Sequence, residues 1–429
     1  MTLILTRGNR LISALAIVAT IISSLFVTSP SASDRPSVPD KKSVLIRNKT
    51  DSPLVPQLIS TTSDGGLIVA GGSPVTKENW ATKFDAANQS KWSYFRIPSE
   101  SERLAVQSGS ESSKYRGIAE LPNHDLLLCA DRPSKRGDPP GGIFVTHLDA
   151  QGKFLTEFDA LEKNPNNEEN YLLLGCAAWG DLLAVVAVKM NWPGHNNNNT
   201  VLTSTYSIIF YNSNGSLKRK TDVEALTPGF IPDRDGFGLK VIGDALLISM
   251  TNNSESELFT LNSSGKLEAH RKIAGRQLLI RGQNQKFPFK IFAPSNAEDG
   301  LPPVISILSR DLSVIKSVQG TFPRYFVTRT VLESADGSLL LFGSNVNLFG
   351  ARLSTGIRQL EMNLSGDRKI DIAGFKTEEF SIMAASVLEN GKGYAYAVSG
   401  SSLENENSKN FVTKGSVTGA IVIFVKQER

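Results

Sequence analysis

Two arginines hold the same position ahead of an apolar triplet in distant parts of the chain. Arg116 lies ten residues before the triplet Leu126–Leu128. Arg329 lies ten residues before the triplet Leu339–Leu341. A guanidinium offers two parallel N–H donors that match a carboxylate, a phosphate or a sulfate group. The shared spacing therefore predicts two guanidinium groups at the same level of a repeated structure, where they could bind an anion.

Neighbouring residues complete this candidate ligand-binding site. Gln57 holds the equivalent position in the first repeat, and Tyr115 directly precedes the first arginine. Arg324 and Tyr325 lie shortly before the second arginine. The alternative is structural, because an arginine inside a fold can pair with a backbone carbonyl or an aspartate. Both interpretations stay open at this point.

Other kinds of chemistry have weaker signals. The four histidines do not have the spacing of a zinc site, so no metal and no cofactor are predicted. The chain has no G-x-S-x-G motif for a serine nucleophile. Paired carboxylates that cleave glycosidic bonds can come from distant strands. A glycan-active hydrolase or lyase therefore remains the alternative function.

The N-terminus has the pattern of a secretory signal. Arg7 and Arg10 precede the apolar stretch Leu11–Val27, and small residues follow as far as Ala32. We predict a signal peptide over residues 1–32, a flexible tail over residues 33–42, and a secreted or periplasmic protein. An uncleaved anchor is the alternative. No later segment is apolar enough to span a membrane.

Charge and cysteine content fit this location. Without Arg7 and Arg10, 44 basic residues face 42 acidic ones, which argues against nucleic acid as a partner. The chain has two cysteines, Cys129 and Cys176, each in an apolar run. Export permits a disulfide between them, and two buried thiols are the alternative.

The chain contains an internal repeat made of a tight turn followed by an apolar run. The clearest copy is Asp64–Gly72, and seven copies occur, of which Lys286–Phe292 is degenerate. A second hairpin with a polar turn follows each of the first six copies. Two hairpins make a four-stranded antiparallel sheet, and the repeat length of roughly 45 to 63 residues is typical of β-propeller blades.

The last repeat lacks one outer strand, and the run 43–47 near the N-terminus is a surplus strand. Placing this strand in the last sheet would remove two exposed edges. We therefore predict an all-β protein, a seven-bladed β-propeller of four-stranded antiparallel blades over residues 43–429. Residues 43–47 are its predicted closing strand.

The repeat resembles exported bacterial β-propellers whose blades begin with D-G-G and four apolar residues and continue to a hydrophobic–Asp pair before a turn glycine. Asp64–Gly72 and Phe84–Asp85 match this pattern most fully. The resemblance implies the propeller fold. It implies little about function, because this family is functionally mixed.

The loops predict which face of the propeller is functional. Turns on one face are tight, whereas the other face carries long segments such as Pro98–Lys114, in which Ser99–Glu102 is predicted to be solvated. Binding residues are often on loops held by a rigid scaffold. We predict a monomeric, non-catalytic protein that binds a glycan, a peptide or a cell-envelope protein through the long-loop face.

Overall fold

The structure is a computed structural model, and the described part of the chain is nearly all β-strand. It describes residues 41–47, 53–107, 110–111, 113–132, 134–135, 142–162, 170–190, 205–227, 230, 232–233, 236–252, 254–282, 287–294, 302–320, 326–346, 352–361, 368–370, 380–388, 393–400 and 420–426. Within these ranges there is one helix, α1 (Glu100–Gln107). No helix of the described part is both long and apolar enough to cross a lipid bilayer.

The strands are numbered in chain order. The first fifteen are β1 (Lys41–Ile46), β2 (Val55–Thr61), β3 (Leu67–Gly72), β4 (Asn79–Phe84), β5 (Ser90–Arg96), β6 (Ser110–Glu111), β7 (Lys114–Glu120), β8 (Leu126–Asp131), β9 (Ser134–Lys135), β10 (Gly142–Leu148), β11 (Phe154–Glu162), β12 (Asn170–Trp179), β13 (Leu182–Met190), β14 (Thr205–Asn212) and β15 (Leu217–Glu224). The other fifteen are β16 (Gly238–Ile242), β17 (Ala245–Thr251), β18 (Glu255–Leu261), β19 (Leu267–Ala274), β20 (Leu278–Arg281), β21 (Phe289–Ala293), β22 (Val304–Leu308), β23 (Val314–Gln319), β24 (Phe326–Glu333), β25 (Leu339–Val346), β26 (Arg352–Leu360), β27 (Arg368–Ile370), β28 (Phe380–Val387), β29 (Gly393–Gly400) and β30 (Ala420–Lys426).

Most of these strands belong to four-stranded antiparallel sheets. Sheets 1 to 4 are β2-β3-β4-β5, β7-β8-β10-β11, β12-β13-β14-β15 and β16-β17-β18-β19. Sheets 5 and 6 are β20-β21-β22-β23 and β24-β25-β26-β27. A short parallel pairing of β20 with β24 joins these two sheets into one sheet of eight strands. Sheet 7 is β28-β29-β30-β1, so the strand from the N-terminus pairs with β30. The strands β6 and β9 form a separate two-stranded pair.

Tight turns with asparagine, aspartate or glycine explain the hairpins. Gly65 and Gly337 have φ angles of 79° and 81°, a region that glycine enters without a steric penalty. The carboxylates of Asp64 and Asp336 accept hydrogen bonds from the backbone N–H groups two residues later, at 3.1 and 2.9 Å. These turns fix the register of the two strands that they join.

The core lies between neighbouring sheets, since the middle strands are buried on both faces. β8 and β17 are buried along their whole length, whereas the outer strands β19 and β23 are mostly exposed. Six clusters of buried apolar side chains each join two sheets that follow one another in the chain, and a seventh joins sheet 7 to sheet 1. The burial of apolar area between sheets is the main stabilising contribution.

A disulfide links sheets 2 and 3. It joins Cys129 of β8 to Cys176 of β12, with their Cα atoms 6.4 Å apart. The backbones of the two sheets also approach closely here. A Cβ atom on Gly117 would lie 2.4 Å from the backbone nitrogen of Cys176, so only glycine fits at this position.

The prediction that Ser99–Glu102 is a solvated segment was wrong for Glu102. This residue is 5% exposed, and it lies in the first turn of α1. Its carboxylate accepts a hydrogen bond from the backbone N–H of Ser99, whose hydroxyl in turn accepts one from the backbone N–H of Glu102. This is a capping box, which satisfies two N–H groups at the start of the helix.

Candidate functional site

The first strands of five sheets contain a β-bulge at the same level. In each of these strands, one extra residue lies between two residues whose partners on the neighbouring strand are consecutive. The extra residues are Gln57, Arg116, Leu174, Arg329 and Met383. A bulge increases the local twist of a strand and turns the extra side chain in a new direction. The equivalence of Arg116, Arg329 and Gln57 that the sequence predicted therefore corresponds to a shared backbone feature.

All five bulge residues line one cavity of about 1220 Å³. Its lining includes residues from the first strand of each of sheets 1 to 7, namely β2, β7, β12, β16, β20, β24 and β28. We call this cavity the channel. Its described lining includes five basic residues and no aspartate, glutamate or histidine: Lys114, Arg116, Lys240, Arg281 and Arg329. A local excess of one charge raises the concentration of oppositely charged ligands.

The two predicted arginines have different surroundings in the channel. The Nε atom of Arg116 lies 3.2 Å from Oδ2 of Asp131, and the other oxygen of that carboxylate accepts the backbone N–H of Leu173. Arg116 therefore has the structural pairing that the sequence left open, although it also lines the channel. Arg329 is exposed to the channel and makes no ion pair with a carboxylate of the described residues.

The remaining predicted site residues differ in their positions. Gln57 lines the channel, and its Oε1 atom is buried without a hydrogen-bond donor among the described residues. The side chain of Tyr115 is fully buried in the core between sheets 1 and 2, so its ring does not face a ligand in the channel. Burial raises the pKa of this phenol. Arg324 and Tyr325 lie outside the described residues.

Three basic residues of the channel lining were not predicted from the sequence: Lys114 on β7, Lys240 on β16 and Arg281 on β20. The Nζ atom of Lys240 donates to the carbonyl oxygen of Gly282 at 3.4 Å, and no described carboxylate forms an ion pair with it. Burial and the positive charge of Arg281 lower the pKa of Lys240 to about 7, although the charge of Glu333 opposes this shift. Burial also lowers the pKa of Arg281.

The rest of the lining is divided between hydroxyl groups and apolar side chains. Ser60, Thr330 and Ser386 supply hydroxyl groups, and Phe237 supplies an aromatic ring. This ring packs against β12, where a Cβ atom on Gly175 would lie 2.6 Å from it. The channel can therefore contact the charged, hydroxyl-bearing and apolar parts of one ligand.

A serine, a histidine and a glutamate also meet beside the channel. The hydroxyl of Ser63 lies 3.1 Å from Nδ1 of His124, and the same nitrogen lies 3.3 Å from Oε1 of Glu120. A catalytic triad needs the serine and the acid on opposite nitrogens of the imidazole ring. Because one nitrogen contacts both groups here, this cluster does not have the geometry of an activated serine.

Comparison with known proteins finds similar solved structures and no family. No family model and no curated protein matches the chain. Similar solved structures include the Dos1 propeller, with 10% identity and a TM-score of 0.44 over 87% of this chain and 80% of that chain. The β-propeller domain of the Trilobed protease from Pyrococcus furiosus has 9% identity and a TM-score of 0.44 over 82% and 92% of the two chains.

A third similar structure belongs to a longer protein. Acylaminoacyl peptidase from Pyrococcus horikoshii has 9% identity and a TM-score of 0.45 over 82% of this chain and 50% of that chain. This chain therefore spans about half the length of that peptidase. Similarities of this size concern the fold alone. The chain is nearly all β in its described part, has several four-stranded antiparallel sheets, and has β-propellers among its structural neighbours.

Proposed function

We propose that the protein is an exported, non-catalytic binding protein whose central channel takes an acidic ligand. The ligand would be an acidic part of a glycan, a peptide or a cell-envelope protein. The observation that carries this proposal is the composition of the channel, which has five basic residues and no acidic residue in its described lining. In a chain with almost equal numbers of basic and acidic residues, this distribution concentrates positive potential in one place.

The proposed architecture is a closed ring of seven blades formed by sheets 1 to 7. Two observations support the ring. β1 pairs with β30 along six residue pairs, and a cluster of buried side chains joins sheet 7 to sheet 1. Closing the ring covers the edges that the first and last sheets would otherwise expose. Rigid strands would then hold the bulge residues around the channel.

Export is proposed from residues 1–32, which have the pattern of a signal peptide. The disulfide between Cys129 and Cys176 agrees with an oxidising compartment. N-terminal sequencing of the exported protein tests cleavage after Ala32. Titration of free thiols under denaturing conditions tests the bond, and we expect no free thiol before reduction.

Binding is preferred to glycan hydrolysis because of what lines the channel. A glycoside hydrolase needs two carboxyl groups on either side of the bond that it breaks. The described lining of the channel has five basic side chains instead. These side chains can neutralise an anion, and none of them is a carboxylic acid that could protonate a leaving group.

The test is a binding titration of the purified exported protein. We expect galacturonate oligomers to bind and neutral galactose oligomers of equal length not to bind. Arg329→Gln should weaken binding about tenfold, because it removes a charge-assisted hydrogen bond. Lys316→Gln is the matched control, since Lys316 is exposed on the outer strand β23. Equal binding of acidic and neutral oligomers, or equal effects of the two substitutions, would contradict the proposal.

A further inference from the structure

Apart from Lys114, the basic side chains of the channel lie at two levels, and Arg281 defines the second. The first is the bulge level, which contains Arg329. β20 pairs with β24 in parallel, so that Arg281 lies beside Leu332, three residues beyond Arg329. A strand rises about 3.3 Å per residue. Arg281 therefore lies about 10 Å from the bulge level along the channel.

Lys240 lies at the same second level. The hairpin of sheet 4 ends with the pair Ile242–Ala245, and the hairpin of sheet 3 ends in the same way, with two residues in the turn. The bulge residue Leu174 of sheet 3 lies five residues before Trp179, the last paired residue of its strand. Phe237 likewise lies five residues before Ile242, so it corresponds to the bulge residue of sheet 3. Lys240 is three residues beyond Phe237, the same step that separates Arg281 from Arg329.

The second level has positive charge that forms no ion pair with a carboxylate of the described residues. Lys240 and Arg281 line the channel, and no described carboxylate forms an ion pair with either of them. The charged groups that act on Lys240 are Arg281 and Glu333, and the carboxylate of Glu333 is held by Lys290 at 2.6 Å. Two neighbouring cations in a partly desolvated wall repel each other. An anion bound between them would remove this repulsion.

We propose that the channel binds a linear acidic oligosaccharide whose acid groups reach both levels, one at Arg329 and one at Lys240 and Arg281. This inference rests on the proposed function and names its ligand class. Hydroxyl groups and an aromatic ring line the same channel, a combination that suits sugar rings better than an extended peptide. A separation of about 10 Å corresponds to acid groups two sugar units apart.

The test is a titration with galacturonate and its dimer, trimer and tetramer. We expect the affinity to rise at least tenfold between the dimer and the trimer, because only the trimer reaches both levels. Lys240→Met should abolish this step. Lys316→Met is the matched control. Thermal unfolding of the Lys240→Met variant should show no loss of stability, because the substitution removes a poorly solvated charge.

Proton uptake gives a second readout that a merely structural role of Lys240 would not change. With its pKa lowered to about 7, the side-chain amine of Lys240 is only partly protonated at pH 7 in the unliganded protein, and a bound acid group would favour its protonated form. Calorimetry of the trimer in buffers of different ionisation enthalpy should therefore show net proton uptake on binding. Lys240→Arg should keep the length step and lose the proton uptake.

The outcomes separate this inference from the proposed function. If no acidic oligomer binds, the proposed function fails. If acidic oligomers bind and Arg329→Gln weakens their binding, the proposed function stands. In that case, an affinity that does not depend on oligomer length, or a length step that Lys240→Met leaves in place, would show that only the second level is wrong. If oligoglutamate shows the length step and galacturonate oligomers do not, the ligand class is a peptide and the assignment to an oligosaccharide is overturned.

Discussion

Substitution of Glu102 by glutamine tests how the long segment after sheet 1 is held. The carboxylate of Glu102 lies 3.0 Å from Nη1 of Arg96 and 3.0 Å from Nη1 of Arg132. Arg96 also contacts Glu157 at 2.7 Å, and its guanidinium lies 4.1 Å from the ring centroid of Phe144. Glu102→Gln keeps the size of the side chain and removes the charge that joins α1 to both arginines.

The expected loss follows from what remains after the substitution. Removing one partner of a buried ion pair costs about 3–5 kcal/mol when the other charge is left alone. Arg96 keeps Glu157 and Arg132 keeps Asp159, so neither charge is left alone. We therefore expect a loss of about 2 kcal/mol in the free energy of unfolding, the contribution of hydrogen bonds to charged groups.

The stability loss caused by Glu102→Gln should depend on pH with a definite sign. Burial alone would raise the pKa of Glu102, but hydrogen bonds and the charges of Arg96 and Arg132 hold it below its usual value. A lowered carboxyl pKa stabilises the folded state above the unfolded pKa of about 4.3. The stability difference between the native protein and the variant should therefore be full at pH 7 and shrink as the pH falls below about 4.

Urea denaturation monitored by tryptophan fluorescence measures the change in the free energy of unfolding. Amide hydrogen exchange over Glu100–Gln107 measures whether the helix becomes detached. Glu100→Gln is the matched control, since Glu100 lies in the same helical turn and is exposed. We expect a change of less than about 1 kcal/mol for this control. Equal midpoints for the two variants at pH 7 would refute the assignment of Glu102 as the anchor of the segment.

Three further predictions concern stability. Lys83 lies 2.7 Å from Asp64 and helps to lower the pKa of that half-exposed carboxyl to about 2 against the effect of burial. In urea denaturation, Asp64→Asn should therefore cost about 1 kcal/mol above pH 4, and this loss should shrink as the pH falls through about 2. Reduction of the bond between Cys129 and Cys176, which are 47 residues apart, should cost about 4 kcal/mol in the same assay with and without reductant. Gly117→Ala should lower the melting temperature by several degrees, because its Cβ atom would overlap the backbone of Cys176, and an unchanged melting temperature would contradict this close approach of the two sheets.

Sequence patterns predicted the strands best where a tight turn precedes an apolar run. β3 and β25 follow the turns Asp64–Gly66 and Asp336–Ser338, and both lie where the repeat placed them. Such turns act locally, so the sequence near them is sufficient to predict a hairpin. Sheet 5 was harder to predict because its first strand β20 has four residues and pairs with its neighbour β21 through two of them.

The start of helix α1 could have been predicted from the sequence, whereas the burial of Glu102 in this helix could not. Ser99 and Glu102 have the spacing of a capping box, which is visible in the sequence. The partners that bury Glu102 cannot be recognised in the same way. Arg96 and Arg132 lie on either side of it in the chain, and only the packing of sheets 1 and 2 brings them together. Charged residues in a long segment consequently look solvated until the tertiary structure is known.

The two levels of the channel differ in how far the sequence can predict them, and the reason is the length of the hairpin turns. Sheets 2 and 6 have turns of equal length, with end pairs Glu120–Leu126 and Glu333–Leu339, so Arg116 and Arg329 are in phase with the apolar triplets that follow them. Sheet 4 has a shorter turn around Gly243, which shifts the phase of Lys240.

This shift has a consequence for how a channel acquires its charge. Side chains alternate between the two faces of a strand, so a change in turn length alters which sequence positions correspond between repeats. Alignment of the apolar triplets finds Arg116 and Arg329, which share the bulge position. It misses Lys240 and Arg281, which lie three residues beyond this position, although all four side chains line the same cavity. The positive potential of the channel depends on the sum of these side chains. It follows that neither the nearly balanced composition nor a single repeat predicts it, and that only the register of all the first strands does.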